Sequence, residues 1–289
     1  MFSAYLIHVA TMMGIYGILA LSLQLAVGFA GLLNLAHVAF FGIGAYTSAL
    51  LSLSGTGFLT CAMAAAVLSS LAGYLVSFPT RHLKSDYLAL ATMALTFVIH
   101  AIFLNWTELT RGPLGLPGIP RPQIFGFNFY SNESYLVLVL IITLLCFATL
   151  RKLTRSPFGI TLQAIRDNEL AAQSMGKNTF IFKTKALVVS AFFAGLAGSL
   201  FAHYITFIDP SSFTLLNLIP ILTIVILGGL ASLEGTIAAT VVLVFLQELP
   251  RFIGFPSSIV GPARQMLFSA LLILILIYKP KGICGKVSL

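Results

Sequence analysis

Read from its first residue, the chain alternates long apolar runs with short polar connections. A helix needs about 20 apolar residues to cross the hydrocarbon layer, and on that ruler roughly nine runs are candidates. They are Ala4 to Val27, Leu35 to Leu53, Gly57 to Pro79, Asp86 to Asn105, Ser134 to Leu150, Ala186 to Phe207, Leu215 to Leu230, Thr236 to Leu249 and Gln265 to Tyr278. The pattern predicts an all-α fold, a polytopic transmembrane helical bundle of roughly eight or nine spans, with residues 1–289 forming a single domain. The first run lacks a basic leader and is too long for the core of a signal peptide, so it is expected to be a retained span.

One polar island is long. It covers Ser156 to Gly176, with Arg151, Lys152 and Arg155 before it and Lys177, Lys183 and Lys185 after it. Clustered Lys and Arg beside apolar spans marks a cytoplasmic segment, here about 151–185. Ser156 suits an N-cap, Pro157 the first helical position and Gly176 a left-handed closing turn, so one helix with both ends specified is expected. The small side chains of Ala171 and Ala172 would let another protein dock closely. Alternating outward from this helix puts Arg81, Lys84, Arg166, Lys279, Lys281 and Lys286 inside as well, leaves Arg111, Arg121, Arg251 and Arg264 outside, and makes the N-terminus external. The Pro- and Gly-rich stretch of about 106–133 is then an external, non-helical loop. Its apolar residues Leu114, Leu116, Ile119, Ile124 and Phe125 argue that it is ordered.

Two glycine-rich stretches, Gly28 to Tyr46 and Gly228 to Gly235, interrupt the apolar pattern. Irregular backbone at membrane depth must be buried in protein or face a water-filled cavity, so both breaks are expected around one central pathway. Asn34 is a candidate helix cap with His37 in the first turn that follows; a short connecting loop with an ordinary capping Asn is the alternative. Asn34, His37, Thr47 and Ser232 would offer hydrogen bonds to a small neutral or zwitterionic solute, beside Gly228 and Gly229, with Phe40, Phe41 and Phe97 as apolar wall. Ser190, Ala194, Gly198 and Ala202 form one small-residue column, and Ala191, Gly195 and Ser199 another, which predicts close helix packing.

Composition changes the picture in one respect. At 58% hydrophobic and 8% charged residues, with mean hydropathy +1.02, a soluble fold is excluded. The formal charge of +8 therefore reads as topology signals between spans and not as a nucleic-acid surface. Cys61, Cys146 and Cys284 show no metal or disulfide spacing. No G-x-x-x-x-G-K-[ST], G-x-S-x-G or H-E-x-x-H pattern occurs, so the chain is expected to be neither an ATPase nor another enzyme, and to carry no cofactor of its own. Ionisable residues in or beside spans are few: His37, Asp86, His100, His203, Glu234 and Glu248. Glu234, in a Gly-rich turn, is expected to cap.

Several blocks carry a resemblance: GFAGLLNLAHVAFFGIGAY from Gly28, SDYLAL from Ser85, NWTELTRGPLGLPGIPRP from Asn105, RSPFGITLQAIRDNELAAQSMG from Arg155, AGLAGSLFAHY from Ala194 and LGGLASLEGT from Leu227. In that order they are similar to the membrane subunits of branched-chain amino acid ATP-binding cassette importers, of the LivM type. The resemblance implies a plasma (inner) membrane permease that works with a second related permease subunit, two cytoplasmic ATPase subunits that use the ATP, and an external substrate-binding protein. It makes the island a coupling helix, with Arg166, Asp167, Glu169, Ala171, Ala172 and Gly176 as residues that meet an ATPase. After SDYLALAT the family usually carries an acid, whereas this chain has Met93 to Phe97 without one, which leaves urea and short amides open beside amino acids. A self-sufficient channel or ion-coupled carrier is the remaining alternative, and the scarcity of buried acids disfavours it.

Overall fold

The computed structural model describes residues 2–80, 85–124, 126–252, 257–278 and 282–285. Arg81, Lys84, Phe125, Lys279, Lys281 and Lys286 lie outside these residues, as do the side chains of Asp86 and Arg251. The chain is a helical bundle. Helix α1 (Phe2–Gln24) runs into a π-helical turn (Leu25–Phe29), and after a link come α2 (His37–Leu53), α3 (Phe58–Thr80) and α4 (Ser85–Asn105). One short turn, α5 (Thr107–Thr110), leads into β1 (Leu116–Pro117), β2 (Gln123–Ile124) and β3 (Phe127–Asn128). Then follow α6 (Asn132–Arg155), α7 (Pro157–Asp167), α8 (Glu169–Ser174), α9 (Thr179–Ile205) and β4 (Phe207–Ile208). The described chain closes with α10 (Leu218–Gly228), α11 (Leu233–Phe252) and α12 (Ser257–Tyr278).

Among the described residues five segments are long and apolar enough to cross a membrane: Ala4–Phe29, Phe58–Phe78, Tyr87–Asn105, Asn132–Arg155 and Thr179–Ile205. Three shorter apolar helices accompany them, His37–Leu53, Leu215–Gly228 and Val260–Ile275. The span of α9 is 67% buried within the chain and that of α6 only 22%, so α9 is central and α6 peripheral.

The centre is α9 packed against α2 and α3, and small residues permit it. A β-carbon placed on Gly195 would lie 2.3 Å from Ser69 Oγ, one on Gly44 2.2 Å from the Gly195 carbonyl oxygen, and one on Gly198 2.1 Å from the Phe41 oxygen. Helix backbones this close are possible only where side chains are absent, as the two small-residue columns predict. Hydroxyls then reach across the seams: Ser69 Oγ donates to Phe40 O at 2.9 Å, and Ser48 and Ser199 pair at 2.7 Å. On the far side of α9, Tyr135 of α6 donates to Leu200 O at 2.6 Å.

The stretch around 106–133 is ordered as expected, with Leu116 and Ile119 buried, yet it is not purely loop. Thr107–Thr110 precedes its first proline and closes a helical turn on Trp106 O. Leu116 pairs with Ile208 and Gln123 with Asn128 in two short antiparallel ladders. Prolines forbid a long helix here, but they leave two-residue strands free to pair. This cap covers the end of the bundle formed by the C-termini of α2 and α9. Helices α7 and α8 lie at the opposite end.

Candidate functional site at the glycine junction

The polar island is two helices, which corrects the expectation of one. Asn168 adopts an extended conformation (φ −156°, ψ 99°), and its Oδ1 accepts from Ala171 N at 3.0 Å. An Asn that competes for backbone donors ends one helix and caps the next, so α7 stops at Asp167 and α8 begins at Glu169. Ser156 has N-cap dihedrals, but its hydroxyl donates back to Leu153 O at 2.6 Å instead of capping α7. Gly176 has φ +77°, the left-handed conformation expected of it. Ala171 is exposed, whereas Ala172 is 4% exposed and packs inward, so it cannot be a docking surface. Ala172→Trp is accordingly expected to lower the stability of the α7–α8 segment by about 1–3 kcal/mol through overpacking. Faster trypsin cleavage at Lys177 would report it, and unchanged cleavage would show that the site accommodates the ring.

Arg166 points away from the surface. Its guanidinium is mostly buried, donates through Nη1 to Gly28 O at 2.6 Å, and pairs with Asp167 at 2.8 Å. Gly31, at φ +67°, makes room for it: a β-carbon there would sit 2.6 Å from Arg166 Cγ. Lys183 of α9 pairs with Glu169 at 2.6 Å, so the start of α8 is tied to the bundle too.

The same glycine stretch meets the second one. A β-carbon on Gly28 would lie 2.8 Å from Ala231 N, and Gln24 Nε2 donates to Gly229 O at 2.7 Å. The C-terminal turn completes the junction, with Ile283 N and Cys284 N donating to Leu227 O and Gly228 O, the carbonyls that α10 leaves open at its end. Arg151 and Arg155 of α6 reach Glu234 of α11 at 3.4 and 3.5 Å. Glu234 therefore forms ion pairs; the cap of α11 is Ser232, whose Oγ accepts from Gly235 N at 3.1 Å.

The irregular backbone of the first break is supplied with partners from within the protein. Thr92 Oγ1 accepts from Leu35 N at 3.0 Å, and Thr96 Oγ1 donates to Leu35 O at 2.9 Å. Asn34 Oδ1 accepts from Ala36 N at 3.1 Å, which caps the preceding turn and not α2 itself. His37 opens α2, and its Nε2 lies 3.0 Å from Leu19 O and from Ser22 Oγ. A carbonyl only accepts, so Nε2 carries the proton.

The two breaks are thus brought together: Gly28 packs against the Ala231 backbone, and Ala30, Gly31 and Leu32 of the first break line a cavity of about 170 Å³ with Arg166, Asp167 and Glu169. Asn34 and His37 are fully buried, Ser232 nearly so, and Phe40 and Phe41 belong to the core, where Phe41 packs on Phe201 and Phe213. Thr47 is half-buried on α2. Phe97 is 53% exposed on the outer face of α4, away from the other candidates. Sequence reasoning passed over Gln24, Thr92 and Thr96. Gln24 carried a signal, since it is the one amide in an otherwise apolar run; the threonines carried none, because a hydroxyl can satisfy its own helix.

Residues 5–277 match the family model described as branched-chain amino acid transport system / permease component. The chain is 37% identical over 302 residues to the high-affinity branched-chain amino acid transport system permease protein LivM of Salmonella typhimurium, covering 96% of this chain and 69% of that one. The Escherichia coli LivM is 36% identical with the same coverage. A probable LivM of Methanocaldococcus jannaschii is 28% identical, over 93% of this chain and 90% of its own. No solved structure matches. With its family model matched across nearly the whole length, this membrane protein belongs to the branched-chain amino acid transport system permease family.

Proposed function

We propose that the chain is one of two related membrane-spanning subunits of an ATP-binding cassette importer in the plasma (inner) membrane, and that it translocates branched-chain amino acids handed over by an external binding protein. The observation that carries this reading is the contact from Arg166 to Gly28 O, since it links a surface-exposed cytoplasmic element to the broken end of α1. Two cytoplasmic ATPase subunits use the ATP, and one of them grips α7 and α8 through Asp167, Glu169 and Ala171, with Gly176 setting the exit of the segment. The packed junction is the closed form of the cytoplasmic end. Its glycines, with Gly28, Gly229 and the left-handed Gly31 free of side-chain clashes, absorb the dihedral change when α7 is displaced. Opening would expose Asn34, His37 and Ser232, while Phe40, Phe41, Thr47 and Phe97 would have no solute contact in the closed form.

On this reading the chain is a single domain that crosses the bilayer roughly eight or nine times, with α2, α10, α11 and α12 adding to the five long apolar segments. Segment 151–185 lies in the cytoplasm and 106–133 outside. The test is reconstitution. Proteoliposomes holding both permeases and both ATPases should accumulate labelled leucine only with ATP inside and binding protein outside. Uptake driven by an ion gradient without ATP, or no uptake of leucine, isoleucine or valine, would overturn the reading.

A further inference from the structure

At the end of the bundle opposite α7 there is a second polar feature that the coupling mechanism does not use. A cavity of about 250 Å³ opens between the turn joining α2 to α3, the end of α9 and the Pro/Gly cap. Among the described residues that line it, Arg121 is the one permanent cation and none is a carboxylate. Among the described residues Arg121 makes no ion pair. It is held by neutral acceptors instead: Nη1 donates to Tyr130 O at 2.5 Å and Nη2 to Asn132 Oδ1 at 2.8 Å, with the guanidinium 6.0 Å from the centre of the Tyr204 ring. A guanidinium has five N–H donors, so this fixes its orientation and leaves donors and the whole positive charge for another group.

The walls are also fixed. His203 is 2% exposed, and its Nδ1 lies 2.6 Å from Pro120 O while Nε2 lies 3.0 Å from Ser48 Oγ, which pins the segment carrying Pro120, Arg121 and Pro122 to the end of α9. Because Pro120 O accepts, Nδ1 is the donor and Nε2 takes the Ser48 hydroxyl. The edge of Phe58 rests against the His203 ring, with centroids 5.0 Å apart, and gives the cavity an apolar floor. A preorientated guanidinium, no competing carboxylate, and an aromatic and two prolines within one small cavity make a site for a compact molecule with a carboxylate at one end and an apolar group at the other.

We propose that this cavity is an entry subsite of the chain itself, in which Arg121 takes the carboxylate of a free amino acid and Phe58, Pro120 and Pro122 its side chain. The inference rests on the function proposed above and adds a binding step on this subunit, separate from the binding protein.

The experiment is equilibrium binding of tritiated L-leucine to the purified assembly of permeases and ATPases without the binding protein. Saturable binding is expected, displaced by unlabelled leucine and at least 10-fold less well by leucinamide, which lacks the carboxylate. Arg121→Gln should weaken it at least 10-fold. Gly57→Phe should do the same by filling the cavity; a β-carbon on Gly57 meets nothing within 4 Å, so the side chain starts from open space, and an unchanged size-exclusion profile checks that the fold is kept. Absent binding in the unaltered assembly, equal competition by leucinamide, or loss in only one of the two variants would overturn the proposal. Intact leucine binding in both variants, with weakened capture of the loaded binding protein, would assign the surface to docking and overturn it too. ATP-driven leucine uptake that persists where no leucine binds the assembly would leave the importer reading standing and remove this subsite alone.

Discussion

Arg166→Gln is expected to abolish most leucine uptake by the reconstituted importer while leaving the complex assembled. The guanidinium is mostly buried, spans α7 and the first glycine break, and donates a charge-assisted bond to Gly28 O. Such bonds contribute about 1.5–3 kcal/mol, and glutamine is too short to reach the same carbonyl from the same Cα. Without it the start of the break loses its tie to α7, the element that the proposed function has the ATPase move. ATP hydrolysis should continue with little stimulation by loaded binding protein, and uptake per ATP should fall by about 10-fold or more, as 1.4 kcal/mol is tenfold. Arg166→Lys keeps the charge but not the planar fork, and should recover only part of the coupling. If both variants coupled normally with full assembly, the bond would be a structural tie and force would enter elsewhere.

The second large effect is on the fold. Gly195→Leu places a side chain where the β-carbon alone would lie 2.3 Å from Ser69 Oγ and 2.6 Å from Ala65 O. Backbone atoms of α3 cannot yield as a flexible side chain would, so the cost should reach about 3 kcal/mol, the upper end for overpacking. Against a typical total of about 5–15 kcal/mol this removes a large share of stability. The expected result is loss of the monodisperse peak on size exclusion in mild detergent. Gly17→Ala is the control: its β-carbon would stand 3.9 Å from the nearest atoms, an ordinary contact, and that variant should elute like the parent.

These contrasts show what could be read from residues alone. The small-residue columns on α9 were legible because glycine and alanine at helical spacing have one dominant use in an apolar helix, close approach, and the structure places Gly195 and Gly198 against α3 and α2. Gly176 was legible for a similar reason, as a glycine after a polar helix is the usual left-handed stop. The break at Asn168 was not. Its side chain can solvate a helix face or steal a backbone donor, and only the position of Ala171 N decides which. Nor could composition tell which neighbours the irregular backbone would meet. Protein contacts and a water-filled cavity both satisfy the rule against irregular backbone in lipid, and Gln24, Thr92 and Thr96 supply bonds from three-dimensional neighbours far away in the sequence. The exposure of Phe97 could not be foreseen, because one chain read alone does not show which face of α4 is turned outward.

Whether the junction moves with α7 can be measured as distances between spin labels. Labels on the exposed Ala164 of α7, on Leu33 in the first break and on Leu59 near the start of α3 give two pairs in the assembled importer. If Arg166 binds α7 and the break into one unit, the distance from 164 to 33 should stay constant between the nucleotide-free and ATP-trapped states, while that from 33 to 59 changes. A change between 164 and 33, with 33 to 59 fixed, would mean that α7 slides over a static junction, contradicting transmission through the Arg166 contact.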